Sequence, residues 1–176
     1  MPFTLLHMGP GLAIKAVGGR SFSVLVFGMA QVVMDIEPLI RILRDLDVLH
    51  GWSHTYVGAT VIGLLVMVLA PPLCLPILRR WNRELQHHRV GWLRSPERIG
   101  LAASAFGAFA GTYSHVVLDS IMHADIMPLS PWSSANELQG YISINALHLV
   151  CVATGTIGMT AWFAAGLWQK LRRREG

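Results

Sequence analysis

The chain contains 176 residues, 53% of them hydrophobic and only 14% charged, and its mean hydropathy is +0.48. That is far more apolar than a water-soluble domain of this length requires, which excludes an ordinary soluble protein and indicates an integral membrane one. The formal charge of +4 and pI near 9.6 do not point to nucleic acid, because the basic residues gather in two segments that flank apolar runs, as orientation signals do.

The first apolar piece is residues 3–17, within an opening "MPFTLLHMGPG" that has no basic n-region; the first lysine is Lys15, so a cleavable secretory signal is not expected. After a "VGGRS" turn comes a second short run, residues 22–34, extendable through Ile40, and the two read as a helical hairpin closed at Gly18 and Gly19. "MDIEPL" follows, with Pro38 able to break or redirect the chain. "RILRDLDVLH" then reads as a short interfacial helix, Asp45 and Asp47 on its polar face and Arg41 and Arg44 as their partners. "HGWSHT" leads into residues 57–78, 22 residues without a charge. At about 1.5 Å per residue that run crosses a hydrocarbon core of roughly 30 Å. Its prolines, Pro71, Pro72 and Pro76, are expected to kink or end the helix toward its far end. A basic stretch, residues 79–98, carries Arg79, Arg80, Arg83, Arg89, Arg94 and Arg98. Residues 99–118 form a second span, rich in the small residues that let membrane helices approach closely, and are expected at the centre of the bundle. A third span, residues 144–168, precedes the closing "WQKLRRREG". Cys74 and Cys151 sit inside apolar runs without metal-ligand spacing and read as small buried hydrophobes.

The expected fold is therefore all-α. Residues 1–176 make a single membrane-embedded helical domain, a bundle of about five helices built from the short N-terminal hairpin and three longer spans. Both Arg-rich segments are cytoplasmic by the positive-inside rule, which makes 79–98 a cytoplasmic basic loop, 120–143 an external loop, the C-terminus cytoplasmic and the N-terminus non-cytoplasmic. Trp81, Trp92 and Trp168 then belong to the cytoplasmic interface, and Trp52 and Trp132 to the other. From His7 to the Gly19 turn is roughly 18 Å of helix and from Ser21 to Asp35 roughly 21 Å, so these two residues finish at one depth, on the outer face.

The same topology brings His50, His54, His115, Asp119 and His123 to that face. His50 and His54 are four residues apart, which on a helix puts two imidazoles on one side, and His115 and Asp119 repeat the spacing with His123 one turn further. Asp35 and Glu37 add carboxylates, and His7 completes the set. Imidazole with carboxylate oxygen suits Zn²⁺, or Mn²⁺ or Fe²⁺, rather than Ca²⁺ or Mg²⁺, and the donors suffice for one or two ions. The predicted metal ligands are His7, Asp35, His50, His54, His115, Asp119 and His123. Asp119 or Glu37, whichever stays off the metal, is the expected general base. His87 and His88 lie among arginines and read as solvated, and His148 as a hydrogen bond within the bundle.

The order of "MPFTLLHMGPG", "DIEP", "HGWSHT" and "GTYSHVVLDSIMHADIMPLSP" resembles the bacterial inner-membrane metal-dependent hydrolases, also described as LexA-binding, inner-membrane-associated hydrolases. The landmarks run from Met1 to Pro131. The resemblance implies a bacterial inner-membrane location and metal or catalytic roles for His7, Asp35, His50, His54, His115 and Asp119. The family often reads Pro-Asp-x-Asp where this chain has Met34, Asp35, Ile36 and Glu37, so its second acid is longer here. A distant similarity of that family to the zinc-dependent phospholipase C and nuclease group implies phosphoester hydrolysis by two or three zincs.

Three functional classes are in play. The first is a membrane hydrolase that uses a metal-activated water at the non-cytoplasmic face on an ester or phosphoester, with membrane lipids around it and a lipid-linked compound as substrate. The second is a metal-ion or proton transporter or channel, against which stands the lack of ionisable residues within the 57–78 and early 99–118 runs. The third is a non-catalytic scaffold whose polar cluster only locks helices together.

Overall fold

The computed structural model describes residues 5–175, and 74% of the chain is helical, with no strand among the described residues. Among the described residues six α-helices follow one another: α1 (Met8–Gly18), α2 (Val24–Met34), α3 (Ile36–Leu43), α4 (Tyr56–His87), α5 (Leu101–Met122) and α6 (Ile144–Glu175). Three are long and apolar enough to cross a membrane, over Tyr56–His87, Leu101–Met122 and Ile144–Arg172. The architecture is the expected all-α membrane bundle, five principal helices with the short α3 added.

The N-terminal hairpin forms where the sequence predicts it; Phe3 and Thr4, at the start of its first run, lie outside the described residues. α1 ends at the turn, where Gly19 adopts φ 50°, a left-handed conformation that only glycine takes cheaply. Lys15 Nζ closes the turn by donating to the carbonyls of Gly19 (2.7 Å) and Phe22 (2.9 Å), and the Ser23 hydroxyl caps α2 by accepting from Val26 N–H. Each hairpin helix has 11 residues, about 16 Å, so each reaches only halfway through a hydrocarbon core. α1 packs chiefly on α6, and α2 on α5 and α4.

The prolines of α4 neither end nor break it. The helix runs unbroken from Tyr56 to His87, so residues 79–87 of the expected basic loop are helix and the connection proper begins at His88. Pro71 has no N–H for the carbonyl of Met67, four residues back, and the Ser104 hydroxyl of α5 supplies that hydrogen bond at 2.6 Å. Asn82, buried near the end of α4, latches the connection by donating to Ser95 carbonyl (2.8 Å) and accepting from Ser95 N–H (3.1 Å). The Asp45/Asp47 helix also does not form: α3 stops at Leu43, Asp45 turns back with φ 54°, and Arg41 pairs instead with Glu37.

α5 is the most buried of the three long helices and lies between α2 and α4. Its small residues explain why. A methyl group on Gly107 would sit 2.6 Å from Ser23 carbonyl, and one on Gly111 2.7 Å from Ala30 Cβ, so the backbones approach as closely as the composition predicts. α4 and α6 each carry a chain from one end of the bundle to the other. At one end lie the turn after α1, the 88–100 connection and the end of α6; at the other lie the start of α4, the end of α5 and most of the histidines.

Candidate metal centre

Four separate pieces of chain meet at that histidine end. α5 presents His115 and Asp119 on one face, a turn apart, as the four-residue spacing requires. Asp35 sits at the junction of α2 and α3, His54 on a one-turn 3₁₀ segment before α4, and His7 on another before α1. All five side chains are buried, His54 and His115 completely.

Their inner atoms converge. His115 Nε2 lies 3.2 Å from His54 Nε2, 3.2 Å from Asp119 Oδ2 and 3.4 Å from Asp35 Oδ1, and His54 Nε2 lies 3.3 Å from Asp119 Oδ2. His7 Nε2 stands 3.5 Å from Asp119 Oδ1 on the other side of that carboxylate.

The outer hydrogen bonds fix which ring nitrogens carry protons. Gln31 Nε2 donates to Gly111 carbonyl (3.2 Å) and Ser114 hydroxyl (3.3 Å), which leaves its oxygen facing His115 Nδ1 at 2.6 Å; an amide oxygen only accepts, so Nδ1 is the protonated nitrogen. Ser53 gives its one hydroxyl proton to Met34 carbonyl and therefore accepts from His54 Nδ1–H at 2.9 Å. Each ring has its donor directed outward. With both rings neutral, two imidazole nitrogens and two carboxylates, all acceptors, meet in the middle.

Acceptors at such distances repel unless a cation lies among them. Zinc bonds of about 2.0–2.2 Å to nitrogen and oxygen place tetrahedral ligand atoms roughly 3.3–3.6 Å from one another. The four separations of 3.2–3.4 Å lie close to that spacing. Asp35, His54, His115 and Asp119 can thus hold a metal ion, and the Gln31 and Ser53 bonds are the outer contacts that orient metal-binding imidazoles.

No known protein family, curated protein or solved structure matches the chain. The likeness to inner-membrane metal-dependent hydrolases accordingly stands on the quoted motifs alone.

The remaining predicted residues divide. His7 adjoins the cluster, its ring edge-on to His115 at 5.2 Å between centroids, but neither of its nitrogens has a hydrogen-bond partner among the described residues. His50 and His54 are not on a helix as their spacing suggested, since residues 46–51 are irregular, yet their rings still meet at 4.7 Å. His123 does not extend the His115 and Asp119 face. It is the residue at which α5 ends in extended backbone, and it joins His50 and Asp125 in a second group that could itself hold a metal ion, its ring 4.4 Å from that of His50.

Asp125 escaped the sequence reading. Its Oδ2 accepts from the backbone N–H groups of Leu49 and His50 at 3.0 Å each, and its Oδ1 meets His50 Nδ1 at 2.8 Å. Partial burial pushes its carboxyl up, but these donors outweigh burial and bring it down to about 2. Burial holds His50 and His123 below the ordinary histidine value, despite nearby carboxylates.

Glu37 is not placed as a base. Its carboxylate accepts from Ser53 N–H (2.7 Å) and pairs with Arg41 (2.9 Å), so it anchors the segment that carries His54. Gly51 belongs to the same clasp, because a Cβ there would run into Glu37 Oε1 and the Arg41 guanidinium. His148, on α6, is half-buried near His7 and makes no hydrogen bond among the described residues, against the expectation of one; His87 and His88 are exposed as expected. Gln31 was also missed, although an amide one helical turn before Asp35 in the otherwise apolar α2 is the signal that could have found it.

Proposed function

We propose that the chain is a membrane-embedded metal-dependent hydrolase that cleaves an ester or phosphoester at the histidine end of the bundle. The observation that carries this reading is the inward meeting of four buried acceptor groups with the ring protons of His54 and His115 turned outward. Asp35, His54, His115 and Asp119 hold the ion, Zn²⁺ by donor type, with Mn²⁺ or Fe²⁺ the other ions such a set accepts. When bound, that ion supplies an acidified water and charge stabilisation for a developing oxyanion.

The chain's own groups then divide the remaining work. Gln31 and Ser53 keep the two imidazoles oriented. His7 lacks the outward hydrogen bond that marks the other rings, and its Nε2 faces Asp119 Oδ1, so a proton taken up at Nε2 is held by that carboxylate. His50 and His123 continue from His54 toward the partly exposed Asp125 and line the approach. By the positive-inside rule the Arg-rich end is cytoplasmic and the site opens outward in a bacterial inner membrane. A centre at membrane depth favours an amphiphile, which makes the substrate lipid-linked.

A transporter needs polar groups that continue across the membrane. The row of imidazoles stops within the bundle, and residues 57–78 of α4 and 101–114 of α5 offer no Asp, Glu, Lys, Arg or His toward the Arg-rich end. The test is elemental analysis of the detergent-purified protein, wild type beside His54→Ala and Asp119→Asn, with turnover of amphiphilic carboxylic and phosphate esters. Expected are about one transition-metal ion per wild-type chain, loss of that ion in both variants, and turnover that follows the metal. A folded wild-type protein without metal overturns the reading. Metal-dependent flux into liposomes without turnover overturns it in favour of transport.

A further inference from the structure

The opposite end of the bundle carries a second, unrelated feature. A cavity of ≈500 Å³ opens between the turn after α1, the 88–100 connection and the end of α6. Its volume lies in the range of small-molecule sites, about 300–1,000 Å³. Lys15, Arg20, Arg94 and Arg98 line it, and no carboxylate among the described residues does. The acid of that connection, Glu97, is turned away to Arg79 at 3.6 Å. None of the four cations makes an ion pair among the described residues, and Lys15 has its ammonium fixed there by the carbonyls of Gly19 and Phe22. A narrower crevice of ≈230 Å³ abuts the cavity, with Lys15, Val24, Leu25, Leu78, Ser95 and Trp162 lining both. Its other walls are Leu12, Ile77, Trp81, Gly158 and Met159, almost wholly apolar.

Arginines at a membrane interface are usually solvated orientation signals. Here they instead line a hollow that holds no counter-charge among the described residues, and the hollow passes into an apolar slot between α1, α4 and α6. That pairing, anion-seeking at one end and hydrocarbon-seeking at the other, matches one class of molecule. We propose that this site binds a single anionic diacyl phospholipid, its phosphodiester among Lys15, Arg20, Arg94 and Arg98 and one acyl chain along the crevice. The lipid bridges three parts of the chain, of which the 88–100 connection and the end of α6 also meet through the packing of Trp92 on Gly166 and Phe163. It is a bound component of the fold, far from the histidine cluster, and does not depend on any activity there.

The experiment uses the full chain purified in detergent, with dioleoyl phosphatidylglycerol, dioleoyl phosphatidylcholine and inorganic phosphate as probes. Native mass spectrometry counts retained lipid, and a thermal-shift titration gives the apparent affinity of each probe. Each cation near an anionic membrane surface contributes about 1 kcal/mol, or roughly fivefold. The doubly substituted Arg94→Gln/Arg98→Gln protein is therefore expected to bind phosphatidylglycerol about 20- to 30-fold more weakly. Arg80→Gln/Arg83→Gln removes the same charge from the same end but outside the cavity, and is expected to bind like wild type. Circular dichroism and a monodisperse elution confirm that both variants fold, and single Arg20→Gln should give the roughly fivefold loss alone. Equal affinity for phosphatidylcholine overturns the proposal, as does an equal loss in the two double variants, which would indicate only a diffuse field. Stabilisation by inorganic phosphate that matches the lipid's would assign the cavity to a free anion and overturn it too.

Discussion

Replacing Gln31 by Leu tests the centre through a residue that does not enter it. In the folded protein the Gln31 oxygen accepts from His115 Nδ1–H at 2.6 Å, and its amide nitrogen donates to α5 at Gly111 and Ser114. Leucine fills much of the same volume but accepts nothing, so His115 loses the contact that directs its Nε2 inward. Loss of such an outer partner costs about 10- to 100-fold in metal affinity, or roughly 1.4–2.8 kcal/mol. The stranded buried ring donor adds about 1–3 kcal/mol of destabilisation. Competition against a graded chelator series, read by metal content of the eluted protein, measures the first effect; thermal unfolding by circular dichroism measures the second. Gln31→Glu keeps the acceptor oxygen but sets its second oxygen against the Gly111 carbonyl, and is expected to recover only part of the affinity. The reasoning fails if Gln31→Leu binds metal as wild type does.

Three further outcomes follow from the geometry. Glu37→Gln should keep its metal to within about tenfold while lowering thermal stability, because it loosens the clasp on Ser53 and Arg41; complete metal loss would mean that Glu37 acts at the centre itself. Gly9→Ala or Gly158→Ala should destabilise the protein by about 1–3 kcal/mol or more, since the added methyl meets the Cys151 carbonyl or the backbone of Leu12 and Ala13 where α1 crosses α6, and unchanged unfolding temperatures would contradict that close crossing. The Asp125 carboxyl is lowered from 3.8 to about 2 in the folded chain, so its contribution is fully present above about pH 4 and is lost as pH falls through 2. Thermal scans of wild type and Asp125→Asn should therefore separate above pH 4 and converge near pH 2, and a gap that stays constant over that interval would refute the assignment.

The fold was legible where it depends on length and local composition. A 22-residue uncharged run has few alternatives to a span, and the small residues of residues 99–118 foretold a helix in close contact with its neighbours. The continuity of α4 through Pro71 was not legible, because the donor that rescues Met67 carbonyl comes from Ser104, 37 residues away in sequence. The site follows the same division. Asp35, His54, His115 and Asp119 could be read from spacing and depth. The place of His123 could not: helix periodicity put it on the His115 face, whereas α5 ends before it and it falls in the second metal-capable group with His50 and Asp125. Glu37 looked like a spare acid, since nothing local announces that Arg41 and Ser53 N–H occupy it.

Whether a proton alone could satisfy the cluster is the sharper physical question. An N–H at His115 Nε2 points in one direction, whereas three acceptor atoms surround that nitrogen: His54 Nε2 at 3.2 Å, Asp119 Oδ2 at 3.2 Å and Asp35 Oδ1 at 3.4 Å. One proton serves one of them well and leaves the rest in mutual repulsion within a buried site. A second proton, on His54, cancels the remaining carboxylate charge but again serves one contact only, and a proton on a carboxylate forfeits an acceptor. A single divalent ion engages all four groups at once and offsets the charge of both carboxylates. The outer hydrogen bonds to Gln31 and Ser53 are already complete without it, so the second nitrogen of each neutral ring is left to face inward, toward a cation.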